Sequence, residues 1–212
     1  LSLLKTSIKI GKIKRKKNKE DFPMKRAVII LTTGFEEIEA IAPMDILRRA
    51  GVEVEIVGVS ATKATGSHDL TISTDKELAS VMNDLYDIVI LPGGMPGAKL
   101  LKNQQEVQDF IKHHYDAGKL VAANCAAPIA IENSGALKDC NYTCYPGFEK
   151  QIVDGTYTGD FVHQDGRVIT GSGPAAAFEF SYTIVEALGI DAAPLREAMG
   201  YNRLVQQGVQ KA

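Results

Sequence analysis

The chain has few cysteines, and no apolar run approaches the roughly 18–20 residues of a membrane span. Its three cysteines, Cys125, Cys140 and Cys144, make no even disulfide framework. Cys140 and Cys144 stand four apart with no second ligand pair nearby, a weak pattern for zinc. A reducing, cytoplasmic compartment follows, with no membrane partner and no metal. A P-loop and a dinucleotide fingerprint are also missing: Gly93-Gly94-x-x-Gly97 has the wrong spacing and contains Pro96. No cofactor is expected.

Acidic excess is nearly absent from the whole chain, whose 212 residues carry a net charge of −2, but the balance is uneven. Residues 1–23 hold eight Lys/Arg against two acids, and the remainder is correspondingly acidic. An acidic body argues against nucleic-acid binding by the core. Lys14-Arg15-Lys16-Lys17 lies in the basic segment, and Met24-Lys25-Arg26-Ala27 reads like a natural start. Residues 1–23 are read as a disordered, cloning-derived or upstream-translated extension outside the chemistry. A nucleic-acid arm and a mitochondrial-type presequence are the alternatives. Residues 24–212 are read as one domain.

What is present alternates. Ala27–Leu31 and Ile88–Leu91 are continuous apolar runs, hence buried strands. Glu36–Ala50 is helical, with Pro43 inside it expected to kink it and Gly51 as its stop. Val52–Val59 and Val168–Thr170 are further strands, and Gly66–Thr74 is a short hairpin. Gln104–Ala117 is a helix whose His113 and His114 read as solvent-facing. Gly173-Pro174 opens a helix to about Leu188. Strands alternating with helices predict an α/β fold with a parallel sheet covered on both faces. Function then collects beyond the carboxyl ends of the strands.

One of those ends is distinctive. Leu120-Val121-Ala122-Ala123-Asn124 feeds Cys125, and Ala126-Ala127-Pro128 starts a helix-forming stretch. Small residues at minus two and plus two suit a nucleophile on a sharp strand–turn–helix elbow. A helix N-terminus there favours a thiolate, so Cys125 is expected to have a depressed pKa. Glu36, Glu37 and Glu39 open the first helix. The helix dipole accounts for two of them, and one is expected to face Cys125 as a proton carrier; periodicity does not choose which. Gly93 and Gly94 follow a buried strand, where backbone N–H groups can approach a reacting oxygen. With the N–H of Ala126 they form a candidate oxyanion hole.

These segments resemble the ThiJ/PfpI superfamily, and its ThiJ branch in particular. The match rests on Gly34-Phe35-Glu36-Glu37-Ile38-Glu39, Pro43-x-Asp45, Arg48-Arg49-Ala50-Gly51, Leu91-Pro92-Gly93-Gly94, Ala122–Pro128, and Gly173-Pro174 with Phe178-Glu179-Phe180, in family order. The resemblance implies a flavodoxin-like three-layer sandwich with a mostly parallel sheet, related to class I glutamine amidotransferases, and a homodimer. It assigns Cys125 as the reactive cysteine and Glu39 as its partner. Gly94 and Ala126 become the backbone donors, Gly93 and Tyr145 substrate-site residues, and Asp45 and Arg49 a structural helix pair near the dimer contact. Tyr145 stands where the branch has a histidine, which leaves a Cys–Glu pair rather than a triad. Ala126 follows Cys125 where protease-like members have histidine. His163 precedes Gln164-Asp165 where glutaminases need His-x-Glu. Protease and glutaminase activities are therefore not expected. The implied activity is glyoxalase- or deglycase-like, on small aldehydes or glycated substrates. The alternative is a redox-sensing or chaperone-like protein that uses oxidation of Cys125.

Overall fold

Strand β1 (Arg26–Leu31) is buried from Ala27 onward. Ala27, Ile29 and Leu31 enter one apolar core, while Val28 and Ile30 enter another. That period-two division, with no polar face, is what a parallel sheet covered on both sides requires. The structure, a computed structural model, describes residues 24–209, so the reading of residues 1–23 lies outside them.

After β1 come α1 (Glu37–Arg49), β2 (Glu53–Gly58), β3 (Lys63–Thr65), β4 (Thr71–Ser73), β5 (Lys76–Glu77), β6 (Ile88–Leu91), α2 (Gly97–Asn103) and α3 (Gln105–Asp116). Then follow β7 (Leu120–Asn124), α4 (Pro128–Ile131), β8 (Asn141–Tyr142), β9 (Thr156–Tyr157), β10 (Val162–Asp165), β11 (Val168–Gly171), α5 (Ala177–Ala187), α6 (Ala193–Ala198) and α7 (Tyr201–Val209). The main sheet has the order β10-β11-β7-β6-β1-β2-β5. Its neighbours are parallel except β10 and β11. On one face Ile46 and Leu47 of α1 pack with Phe180, Ile184 and Val185 of α5. On the other, Val107, Phe110 and Ile111 of α3 pack with Ala130 and Ile131 of α4. This is the three-layer α/β architecture read from the sequence. Among the described residues no helix is long and apolar enough to cross a membrane.

Two readings change. His114 is fully buried, not solvent-facing, while His113 is exposed. Val107, Phe110, Ile111 and His114 share one helical face, so the 3.6-residue period carries His114 into the core. The helix after Cys125 is a single turn, α4, continued by a 3-10 turn over Glu132–Ser134. The segments α2 and β10 are additions to the elements expected from the sequence. The first is short and begins at Gly97. The second is an edge strand whose residues are only partly covered, so it lacks an apolar run. Helix α1 itself runs unbroken through the buried Pro43.

Candidate active site

From β1 the chain moves to β2 on one side and returns to β6 on the other. A crevice opens at such a reversal, outside the carboxyl ends of the strands. The segments after β1, β6 and β7 meet there and bring in Glu39, Gly93-Gly94 and Cys125.

The three acids of α1 have three different jobs. Glu36 is the N-cap: its Oε2 accepts from the Glu39 N–H at 2.8 Å, and its own N–H donates to the Gly93 carbonyl at 2.9 Å. Glu37 accepts from the His68 N–H at 2.6 Å and pairs with His68 Nδ1 at 2.9 Å, which ties down the β3–β4 turn. Glu39 is fully buried and faces the crevice. Its Oε2 accepts from the Gly93 N–H at 2.7 Å. Its Oε1 is buried and has no hydrogen-bond partner among the described residues. Glu36, Glu37 and His68 place ligand atoms within 4.8 Å of one another, with Glu36 Oε2 engaged by the Glu39 N–H and Glu37 paired with His68.

Cys125 sits at φ +59°, in the left-handed region. A non-glycine residue held there costs on the order of 1–3 kcal/mol, so its surroundings must enforce it. The Cys125 N–H donates to the Gly171 carbonyl at 2.8 Å and to Asn124 Oδ1 at 2.9 Å. Its carbonyl accepts from the Tyr145 N–H at 2.9 Å. The sharp elbow expected from the flanking alanines is present. Gly93 lies against it so closely that a Cβ would stand 2.7 Å from Cys125 Cβ and 2.9 Å from the Ala126 nitrogen. Gly94 has φ +90°, and a Cβ there would meet the Glu36 nitrogen at 2.4 Å. Backbone approach, rather than turn composition alone, explains this glycine pair. The N–H groups of Ala126 and Gly94 both bear on the Cys125 thiol and favour its ionised form.

Burial raises the Glu39 carboxyl to about 7, against the opposing pull of the Gly93 N–H and the Cys125 thiol; Glu36 adds a smaller upward push. Burial first, and then the Glu39 charge, push the Cys125 thiol up to about 12. This corrects the expectation of a depressed thiol pKa. A one-turn α4 supplies little dipole, and the carboxylate next to the thiol opposes a second negative charge. Burial likewise raises Cys140 to about 11 and Cys144 to about 12; both are buried.

Tyr145 reaches the elbow through its backbone. Its half-exposed ring lies along Gly173, where a Cβ would be 3.2 Å from Cδ2, and meets Phe148 edge-on with centroids 6.3 Å apart. Ala98, Ile129, Phe148 and Ile152 pack around Cys125 and Ala126 and give the thiol an apolar flank. Two features escaped the sequence reading. Phe148 and Ile152 come from an irregular segment with no periodicity. Asn124 carried a signal, since it is polar at the end of an apolar strand. Arg49 Nε pairs with Asp45 at 2.7 Å on the exposed side of α1, a helical i,i+4 contact.

A thiol on a strained elbow, a buried acid beside it and two backbone donors define a cysteine site of the α/β-sandwich class. The chain belongs to the DJ-1/PfpI family, which it matches over residues 25–187. It is 38% identical to the Drosophila melanogaster protein dj-1beta, over 77% of this chain and 89% of that one. It is 35% identical to the Caenorhabditis elegans glutathione-independent glyoxalase DJR-1.2, with the same coverage of both. A solved structure of a DJ-1 superfamily protein from Salmonella typhimurium, carrying a cysteine-to-alanine substitution, superposes with a TM-score of 0.79 at 34% identity, covering 85% of this chain and 98% of that one.

Proposed function

We propose that this chain is a cysteine-dependent enzyme that converts small α-oxoaldehydes such as methylglyoxal, or their amine adducts, to hydroxy acids without glutathione. The observation that carries this reading is the unpartnered Oε1 of buried Glu39 beside the Cys125 thiol. Between about pH 7 and 12 the two groups hold one proton between them. With that proton on Glu39, Cys125 is a thiolate supported by the Ala126 and Gly94 N–H groups.

The sulfur adds to the aldehyde carbon, and the carbonyl oxygen takes a proton to give a hemithioacetal. Where that carbon carries an amine adduct, the sulfur displaces the amine and reaches the same intermediate. Glu39 removes the proton from this carbon and returns one to the neighbouring carbon. The first carbon is oxidised and the second reduced, so no outside oxidant is needed. Water cleaves the resulting thioester, releasing lactate and the thiol. Backbone N–H groups of Gly94 and Ala126 hold the negative oxygen. The C. elegans relative, named as a glutathione-independent glyoxalase, supports the reading. Lactate formation from methylglyoxal tests it: wild type should turn over, and Cys125→Ser should lose at least ~10³-fold. A wild-type protein that makes no lactate overturns it.

The same open Oε1 also suits a redox reading. Two equivalents of peroxide would convert the Cys125 thiolate to a sulfinate plus two waters, and the protonated Glu39 would donate to a sulfinate oxygen. A relative from Toxoplasma gondii, 32% identical with a TM-score of 0.74 over 77% of this chain and 90% of that one, is described as oxidized. Mass spectrometry after peroxide, wild type against Glu39→Gln, tests whether the sulfinate needs Glu39. The homodimer belongs to the same reading. Ile38, Ile41, Phe178 and Met199 line an apolar groove of about 300 Å³ between α1 and α5, with Ile38 and Phe178 substantially exposed. Sedimentation equilibrium of wild type against Ile38→Glu checks it.

A further inference from the structure

We infer that Asn124 is a positioning residue that holds the Cys125 elbow in its strained, reactive geometry. Asn124 is fully buried at the end of β7. Its Oδ1 accepts from the Cys125 N–H at 2.9 Å and from the Gly173 N–H at 3.1 Å, and its Nδ2 donates to the Gly173 carbonyl at 3.1 Å. One side chain thus joins the nucleophile's own peptide to the loop that leads from β11 into α5. Tyr145 lies along that same Gly173 and donates its N–H to the Cys125 carbonyl. The elbow, the β11–α5 loop and the Tyr145 segment are therefore held in register around one amide.

Gly171 is the β-ladder partner of Asn124, and a Cβ on Gly171 would stand 2.3 Å from Asn124 Oδ1. Without the amide, the Cys125 N–H keeps only the Gly171 carbonyl, the Gly173 N–H loses its acceptor, and the Gly173 carbonyl keeps only the Ala176 N–H. A residue at φ +59° then relaxes toward ordinary backbone, and Sγ leaves the N–H groups of Gly94 and Ala126. A buried asparagine that merely completed hydrogen bonds would affect stability and leave the thiol's chemistry unchanged.

The kinetic arm of the test rests on the proposed turnover, and the thiol arm stands without it. In Asn124→Ala, kcat for methylglyoxal should fall at least tenfold with KM within about twofold, and the pH midpoint for alkylation of Cys125 by iodoacetamide should move by at least one unit. Asn124→Asp should retain kcat within about threefold of wild type at pH 6, where a neutral carboxyl both accepts and donates, and lose it as that buried carboxyl ionises. Gly171→Ala, which displaces the amide without replacing it, should reproduce the Asn124→Ala midpoint. Ile184→Val, in the opposite core, lowers stability without touching the elbow and serves as control. Wild-type midpoints in both Asn124→Ala and Gly171→Ala overturn the inference, as does a loss that Ile184→Val matches at equal Tm. If wild type makes no lactate, the proposed turnover fails and the alkylation midpoints still decide the role of Asn124.

Discussion

Glu39 and His114 are both fully buried ionisable groups on helices that flank the same sheet, and burial drives both toward their neutral forms. Their surroundings differ. His114 Nε2 accepts from the Tyr86 N–H at 3.0 Å, and Nδ1 faces the Phe110 carbonyl at 2.8 Å as its donor. Its ring lies against Phe110, with centroids 4.3 Å apart, and stacks on Tyr86 at 5.8 Å. Every polar atom of the imidazole is used, in one tautomer. Glu39 has one oxygen fixed by Gly93 and one left without a partner among the described residues, and its carboxyl lies beside the Cys125 thiol. A completed set of partners makes a buried polar group part of the scaffold. An open position in the same kind of burial leaves it free to take up and release protons.

Glu39→Gln gives the widest separation of the two. Removing a proton carrier should lower turnover by about 10²–10⁴. Stability should move the other way. The folded pKa of Glu39 is raised from 4.5 to about 7. Its contribution is therefore fully present below about pH 4.5 and is lost as pH rises through about 7, which at ~1.4 kcal/mol per unit comes to about 3 kcal/mol. Gln keeps an acceptor for the Gly93 N–H and carries no charge. Urea melts at pH 8 should show Glu39→Gln more stable than wild type by up to about 3 kcal/mol, and at pH 5 the two should converge. A variant less stable than wild type at pH 8 would make Glu39 a scaffold group like His114.

For His114 the sign is opposite. Its pKa is lowered from 6.5 to about 4 by burial, against a smaller upward pull from the Phe110 carbonyl. The stability it contributes is present above about pH 6.5 and is lost as pH falls toward 4. Protonation removes the acceptor that the Tyr86 N–H needs. Between pH 7 and 5 wild type should lose about 2 kcal/mol through this group. His114→Gln should flatten that part of the pH–stability curve while starting from a lower value, and turnover per folded molecule should hold within about twofold. Melts at several pH values check the first claim. A change in the pH–rate profile would join His114 to the site after all.

The sequence made the elbow legible because sterics write it plainly: only small residues fit around Cys125, and only glycine fits at Gly93. Buried strands were legible for the same kind of reason, since apolar runs such as Ile88–Leu91 have one place to go. The choice among Glu36, Glu37 and Glu39 was legible only through the family resemblance, not from composition or periodicity. All three suit a helix N-terminus, and what separates them is the Gly93 backbone and the His68 turn, contacts made across 54 and 31 residues. The thiol's electrostatics were misread because its burial and the nearby Glu39 charge are set by the fold rather than by the local sequence, and because α4 stops after one turn. His114 was misread because the polar residues around it masked a face that the period alone would have given.

Tyr145 supplies the finest distinction. It stands beside the elbow with a titratable side chain, as Glu39 does, but its ring is half exposed and its closest tie to Cys125 is a backbone N–H that any residue but proline provides. Tyr145→Phe keeps that N–H and the packing on Gly173 and Phe148. If the Cys125–Glu39 pair suffices, at most one neutral hydrogen bond from the phenol to bound substrate is lost, about 0.5–1.5 kcal/mol, or roughly a factor of two to ten in kcat/KM when the whole bond acts in the transition state. The pH–rate profile sharpens the comparison. Glu39 titrates at about 7, so wild type should show a limb there although no histidine occupies the Tyr145 position. That limb should survive in Tyr145→Phe and disappear in Glu39→Gln. A several-hundredfold loss in Tyr145→Phe at unchanged Tm, with the limb gone, would place the phenol in the proton path and make the site a triad.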